Sequence, residues 1–415
     1  MPGMVHATNG ARVIGIGLVQ RSMGGAGVGL PLDPGTVITN PAGMAAIDGN
    51  MATIGITTMS GDTSVDRVTV TDQAAAFGMP NTTDKVESTT PSAGMPALGY
   101  VSEGKEIRYG LGAYGIAGGG VKYEQALFGQ DAYSNLAVFR VAPAISMSFD
   151  DFVLGATLNY NMATMGFQAN GLPKAKDNQQ TGTGLTIGGL MSLGDDISIG
   201  FAHELKQDIQ PFQYSGTGCP DGSMQTQNGC ASMAELGAWM AGGDPPTFSA
   251  PGAVSGELDM DMPAVTSVGV GMTRGDFKFA YDFSLIKWSE VLGNNLPESS
   301  YPNYHYNLNW SDQTVHKLGL QYSLNDSLQL RMGYNKANDP TDHDRAFELL
   351  MMPAIIDTHY TMGGSFYFTD TIRLDFAYVT APARSATGSD VNNFIADYKT
   401  TASMTSTEFA VTGSF

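Results

Sequence analysis

Phe277-Lys278-Phe279-Ala280-Tyr281-Asp282-Phe283-Ser284-Leu285 alternates large apolar side chains with polar or small ones without a break. A side-chain period of two puts Phe277, Phe279, Tyr281, Phe283 and Leu285 on one face of an extended strand, with Lys278, Ala280, Asp282 and Ser284 on the other. The stretch leaves a tight polar turn, Arg274-Gly275-Asp276, and the same device recurs along the chain. Around Asn325-Asp326, Leu318, Leu320, Tyr322 and Leu324 lead in, and Leu328, Leu330, Met332 and Tyr334 lead out. After Thr369-Asp370, Ile372, Leu374, Phe376 and Tyr378 alternate with Arg373, Asp375 and Ala377.

Further short turns fall at Glu103 to Glu106, Asp150-Asp151 and Asp195-Asp196. Between them lie longer Gly/Asn/Asp/Pro-rich connections near 61–93, 118–135, 166–183, 209–256, 289–313, 338–357 and 382–402. Short turns on one side and long loops on the other are the pattern of a transmembrane β-barrel, and the count predicts about fourteen antiparallel strands with both chain ends on the short-turn side. A soluble sandwich would use strands of about five or six residues, and these are longer. Tyr109, Phe149, Phe152, Tyr160, Trp288 and Tyr322 sit near expected strand ends, as interfacial girdles require. The final strand sets Thr407, Phe409, Val411 and Phe415 against Glu408, Ala410 and Thr412.

Composition agrees. The formal charge is -19 and only 15% of the 415 residues are charged, against ~25% in ordinary soluble domains. The acidic balance argues against a nucleic-acid partner. No window approaches the ~18 apolar residues of a membrane-spanning helix, so a membrane protein of this sequence has to be a barrel.

Residues Thr8 to Ile47 break the alternation. Met23-Gly24-Gly25-Ala26-Gly27-Val28-Gly29 holds too many glycines for a stable helix, each costing ~1 kcal/mol relative to alanine, and suits close backbone packing instead. Asn40 before Pro41 reads as an N-cap with proline at the first helical position. The segment has the character of something a barrel encloses. Ahead of it, Val5-His6-Ala7 has the small-x-small form of a signal-peptidase site, so 1–7 read as the remnant of a signal peptide. Cys219 and Cys230 have no third Cys or nearby His, and a disulfide fits better than a zinc site or free thiols.

With these features in place, the sequence resembles the FadL/TodX family of outer-membrane transporters of long-chain fatty acids and hydrocarbons. The resemblance rests on Thr8-Asn9-Gly10, Met23-Gly24-Gly25-Ala26-Gly27-Val28, Asn40-Pro41-Ala42-Gly43-Met44, Tyr281-Asp282 to Trp288-Ser289, Leu330-Arg331-Met332-Gly333-Tyr334 and the terminal Phe415. It implies an all-β, 14-stranded antiparallel transmembrane barrel spanning 50–415, and a plug or hatch over 8–49 inside the lumen that carries Asn40, Pro41 and Ala42. It also implies a ligand that leaves sideways into the membrane. Location in the bacterial outer membrane, contact with lipid and lipopolysaccharide, delivery to the barrel assembly machinery through the C-terminal strand and a monomeric state belong to the same expectation.

Candidate sites remain. Ser232-Met233-Ala234-Glu235 reads as a capping box, opening a helical stripe of Met233, Leu236 and Met240 beside Trp239. Phe347, Leu350 and Met351 form a second apolar run in another loop. Together they could line an external groove for an apolar ligand or simply pack loop on loop. Gly115, Gly118, Gly119 and Gly120 could bulge the third strand and form a lateral exit, or be the Gly-rich start of a loop. Asp339, Asp342 and Asp344 are a weak Ca²⁺ candidate, a solvated acidic loop being favoured, and no metal or other cofactor is expected. Without G-x-x-x-x-G-K-[ST], H-E-x-x-H or G-x-S-x-G, an enzyme is not expected. The reading is passive, plug-gated uptake of hydrophobic small molecules. The alternative is a structural or receptor barrel whose loops bind a partner.

Overall fold

The alternation of the strand Phe277–Ile286 sorts its side chains as the period requires. Phe277, Phe279 and Tyr281 are about two-fifths exposed, whereas Ala280, Asp282 and Ser284 are buried. The computed structural model describes residues 9–415 apart from 77–78, 91, 128–129, 169–174, 220–223, 227–228, 241, 294–303, 306 and 392–393. Residues 1–7 and Thr8 therefore lie outside the described residues.

Fourteen strands build the wall. They are β1 (Met51–Val70), β2 (Ala93–Val101), β3 (Ile107–Leu127), β4 (Gln130–Ser148) and β5 (Phe152–Gln168). Then come β6 (Ala175–Leu193), β7 (Ile197–Glu204), β8 (Val265–Arg274), β9 (Phe277–Ile286) and β10 (Gln313–Asn325). The last are β11 (Leu328–Ala337), β12 (Thr358–Tyr367), β13 (Ile372–Asp390) and β14 (Ile395–Ser414). Neighbours in the chain are neighbours in the wall, all antiparallel, and β14 closes on β1 from Met51↔Ser414 to Val70↔Ile395. Closure leaves no edge for lipid to meet, and backbone groups have no water to turn to at that depth.

The short turns lie where the sequence places them, and aromatic pairs gather beside them. Phe149–Phe152 and Phe277–Tyr322 stack at 4.7 Å between ring centroids, and Phe366–Phe368 meet edge-on at 5.1 Å. Trp288 does not join this girdle. It is fully buried in the mouth of the barrel, edge-on to Trp310 at 5.1 Å, because β9 ends at Ile286 and the following loop turns inward. Several expected loops are also largely strand. β3 and β4 run to Leu127 and from Gln130, β13 and β14 to Asp390 and from Ile395, and β1 continues to Val70. These hairpins rise beyond the lipid band into water, where both faces tolerate polar residues and the alternation that marks a spanning strand fades. Tyr160 accordingly falls well inside β5 rather than at its end.

The longest loop holds its own small structure. Phe212–Gly218 pairs with Gly252–Asp259, and Cys219 and Cys230 are joined by a disulfide. The capping box forms as its sequence predicts. The Ser232 N–H donates to Glu235 Oε2 at 3.1 Å and the Glu235 N–H to Ser232 Oγ at 3.2 Å, opening the helix Met233–Met240.

The lipid face gives a depth-resolved test. Met332 lies outward and midway along β11, so Met332→Lys should destabilise the barrel by ~2–4 kcal/mol, whereas Phe279→Lys, close to the Gly275-Asp276 turn, should cost only ~0–1 kcal/mol. Lys278→Ala, on the inward face, should be tolerated. Urea unfolding from lipid vesicles measures all three, and equal costs at Met332 and Phe279 would contradict this placement of the lipid band.

Candidate functional site

Residues 9–47 lie almost wholly buried within the ring of strands. Two short helices, α1 (Leu18–Ser22) and α2 (Thr36–Thr39), and the 3-10 turn Pro41–Ala46 are separated by glycine bends. Gly24 and Gly25 adopt φ of 69° and 84°, a region closed to most side chains. So irregular a backbone leaves amides and carbonyls unpaired, and inward-facing wall side chains satisfy them. Asp282 Oδ2 on β9 accepts from the N–H groups of Gly27 and Val28 at 2.8 and 3.0 Å. Thr361 Oγ1 on β12 accepts from Gly24 N–H at 2.9 Å, Asn335 Nδ2 on β11 donates to Gly24 O at 3.1 Å, and Thr157 Oγ1 on β5 donates to Val37 O at 2.6 Å. Two strands along the wall from β12, Glu408 Oε2 of β14 stands 3.1 Å from Arg21 Nη1.

Asn40 works at the junction of these contacts. Its Oδ1 accepts from Ala42 N–H at 3.3 Å, which caps the 3-10 turn, and its Nδ2 donates to Val28 O at 2.8 Å and Gly189 O at 3.1 Å. The wall makes room with glycine: a Cβ on Gly188 would stand 2.1 Å from Asn40 Oδ1, and one on Gly155 2.4 Å from Ala42 N. Any larger residue at either position would push Asn40-Pro41-Ala42 off the wall.

A buried ion triad holds the start of the segment. Arg12 meets Glu204 of β7 through two hydrogen bonds, 3.0 and 2.7 Å, and Arg140 of β4 reaches the same carboxylate at 2.8 Å. Beside it opens a cavity whose lining joins Val13, Ile14, Ile16 and Ile38 of the segment to Ile116, Val265 and Ile286 of the wall. Arg12, Glu204 and Lys317 also line it, with Asn9, Thr39, Thr186, Ser267 and Ser284, so the chamber is of mixed character, aliphatic side chains beside charged and hydroxyl groups. On the short-turn side of the segment the lumen is filled by polar side chains. Arg331 donates to Gln321 and Ser365 at 2.7 and 2.8 Å, and Asp375 accepts from Arg373 and Thr412 at 3.1 and 2.6 Å.

The wall is discontinuous at one point beside the cavity. β2 pairs with β3 only from Ala97↔Tyr114 to Val101↔Gly110, although β3 runs on to Leu127. β3 carries a bulge between Gly115 and Ala117. Pro96, at the edge of this gap, has no N–H to give a partner strand. The N-terminal segment takes the vacant ladder positions: Val13 N–H donates to Ile116 O at 3.1 Å and Gly118 N–H to Ala11 O at 2.9 Å. Gly115, Gly118, Gly119 and Gly120 are all buried here.

Of the seven residues expected to line an external groove, Leu236, Trp239, Leu350 and Met351 have described side chains. Leu350 and Met351 are buried among wall residues, and Leu236 is buried in the longest loop, while Trp239 stays exposed. Met233, Met240 and Phe347 lie outside the residues whose side chains are described. The acidic loop is occupied by protein partners. Asp339 accepts from Thr341, His343 and Arg384, and Asp342 from Asn309. Burial raises the Asp339 pKa, but the hydrogen bonds from His343 and Thr341 outweigh it and the carboxyl ends below its ordinary value. The bond to Asp339 in turn raises His343. Among the described residues no group of His, Cys, Asp or Glu has metal-binding geometry. Arg12, Arg140, Glu204, Asp282 and Glu408 escaped the sequence reading. For Arg140, Glu204, Asp282 and Glu408 the signal was a charged residue at an inward position of a spanning strand, and Arg12, in the N-terminal segment, had no such signal.

Residues 13–414 match the family described as outer membrane protein transport protein (OMPP1/FadL/TodX). The fold is shared with the P. putida toluene transporter TodX, at TM-score 0.69 and 17% identity over 97% of this chain and 99% of that one. A Pseudomonas aeruginosa FadL homologue gives TM-score 0.72 and 16% identity over 98% and 100%. The Ralstonia pickettii toluene transporter TbuX gives TM-score 0.67 and 18% identity over 97% and 99%. No curated protein sequence matches the chain.

Glu204→Gln would leave two buried guanidinium groups without their anion and should cost ~3–5 kcal/mol. The exposed pair Lys85–Glu87, 2.8 Å apart, is the control, where Glu87→Gln should leave the unfolding midpoint essentially unchanged. Urea unfolding of both variants checks the contrast.

Proposed function

The chain belongs to the OMPP1/FadL/TodX family of outer membrane transport proteins, and from that premise we propose a route for its solute. Its place is the bacterial outer membrane, and its relatives are channels rather than enzymes. In this reading residues 8–49 are a plug, 50–415 the barrel, and hydrophobic small molecules, long-chain fatty acids or hydrocarbons, pass the plug and leave sideways into the bilayer. Two of the structural neighbours, TodX and TbuX, are toluene transporters. The C-terminal strand with Phe415 is the element offered to the barrel assembly machinery. Lipid and lipopolysaccharide surround a single barrel.

The observation that carries the lateral route is the gap between β2 and β3. It lies against the cavity, and the ladder there is completed by residues 11–13, which in this reading belong to the plug and not to the wall, while Thr89 N–H bonds Lys122 O at 2.8 Å further along β3. The alternative path, straight down, runs into the Arg331, Arg373 and Asp375 network. An apolar solute released there would enter water at ~25 cal/mol per Å² of apolar surface. A sideways step into the bilayer spares it that transfer into water.

Closing the gap tests the route. A Cβ on Gly115 would stand 3.5 Å from Met95 Cβ, at the short end of the ~3.5–4.5 Å that disulfides span. The pair Met95→Cys and Gly115→Cys, oxidised, should abolish uptake of toluene or oleate by cells, and reductant should restore it, while the amount of folded barrel stays constant. Undiminished uptake through the oxidised pair rules out this exit.

Asn40 tests the plug. Asn40→Ala strands the carbonyls of Val28 and Gly189 and the Ala42 N–H, at ~1–3 kcal/mol for a buried group left unpaired. Uptake per folded barrel should fall because the plug settles differently, with the strand-closed wall intact. Normal uptake in Asn40→Ala would make the motif a mere connector and favour a barrel that binds a partner without transport.

A further inference from the structure

The loop between β11 and β12 has polar stems and an apolar tip. At its stems, Arg384 on the tall part of β13 pairs with Asp357 and lies 3.5 Å from Asp339 Oδ2, and Lys336 Nζ lies 2.8 Å from Asp357 Oδ2. The tip is the helix α3 (Ala346–Met351) and the run to Ile356. Leu350 and Ile355 are 0% exposed, which is unusual for a loop on the long-loop side of a barrel. They are buried because the tip folds into the mouth, against Val65 of β1, Val121 and Tyr123 of β3 and Tyr398 of β14. The same apolar cluster reaches Ile14 of the N-terminal segment and Met95 at the edge of the wall gap. Among the described residues the polar ties of the loop to the wall include Tyr398 Oη, which donates to His343 O at 3.0 Å ahead of the tip, and Ser134 Oγ, which donates to Met351 O at 2.5 Å in it.

We propose that residues 346–356 are an autoinhibitory lid: the tip occupies, with its own leucines and isoleucines, the apolar entrance that a hydrophobic solute must take, and the solute displaces it. The inference rests on the uptake reading above. The stems stay pinned to Arg384 while the tip lifts, since the tip is held mainly by apolar contacts that a hydrophobic solute replaces in kind. A polar solute cannot do so, and the closed lid excludes it. Gly388 on β13 is where the loop can be levered from outside the lipid band. A Cβ there would stand 2.1 Å from His343 O and 3.2 Å from His343 Cβ, so Gly388→Ala forces the loop outward.

Both native cysteines are bonded to each other, so Leu350→Cys supplies a single thiol for a membrane-impermeant maleimide applied to intact cells. Labelling should be slow at rest. It should quicken about ten-fold or more with toluene or oleate, as for an open state raised from the ~10% or less of a minor conformer. Gly388→Ala should quicken it without either solute. Fast labelling at rest, or labelling that neither solute alters in cells that take the solutes up, overturns the lid and leaves uptake standing. Cells that take up neither solute overturn the uptake reading and the lid with it. If Gly388→Ala fails to fold, the solute arm decides alone.

Discussion

A backbone amide or carbonyl facing hydrocarbon has no water to bond, and the structure follows from meeting that demand twice. The wall meets it by closing β14 on β1, so that ladder partners are supplied around the ring. The N-terminal segment cannot meet it with ladders, because its glycines and Pro41 forbid long regular structure. Its amides and carbonyls are instead matched to inward side chains such as Asp282, Thr361, Asn335 and Thr157. The inward face of a spanning strand is thus polar for a reason. It solvates a buried chain.

That division explains where the structure is firm and where it can change. Ladder bonds are numerous and act together, whereas the segment hangs on separate side-chain contacts and on the triad Arg12–Glu204–Arg140. A buried ion group is poor evidence for net stability, since desolvation offsets much of its attraction, but it tolerates only one geometry. It sets the position of residues 11–13, and these complete the ladder that β2 leaves open beside β3. Wall continuity at that place depends on the segment, so movement of one is movement of the other.

The mouth obeys the opposite logic. On the long-loop side water is available, and yet Trp288, Trp310, Leu350 and Ile355 are buried. The tall strands β1, β3 and β14 present apolar inward faces above the lipid band, which only inward-folded loops cover. Apolar contacts therefore run from the loops to the segment and to the wall gap, while charge gathers beneath, where Arg331 and Asp375 sit. The gradient from an apolar top to a polar floor is what a path with a side exit would need.

Period-two alternation at Phe277–Leu285 and its repeats was enough to read the strands, their number, the short turns and the lipid face, because burial by lipid acts on every second residue of every spanning strand. The capping box at Ser232 and the cap at Asn40 were equally legible, being local hydrogen bonds between residues close in the chain. The hairpin extensions were not, since strands in water on both sides carry no alternating signal. Nor were the triad, the gap at β2–β3 and the inward fold of the 338–357 loop. Arg12, Arg140 and Glu204 are far apart in sequence, and nothing local distinguishes a lone charge bound for a lumen from one bound for solvent. Only closure of the ring brings them within hydrogen-bond reach, and only the unequal heights of the strands leave a mouth into which Leu350 can turn.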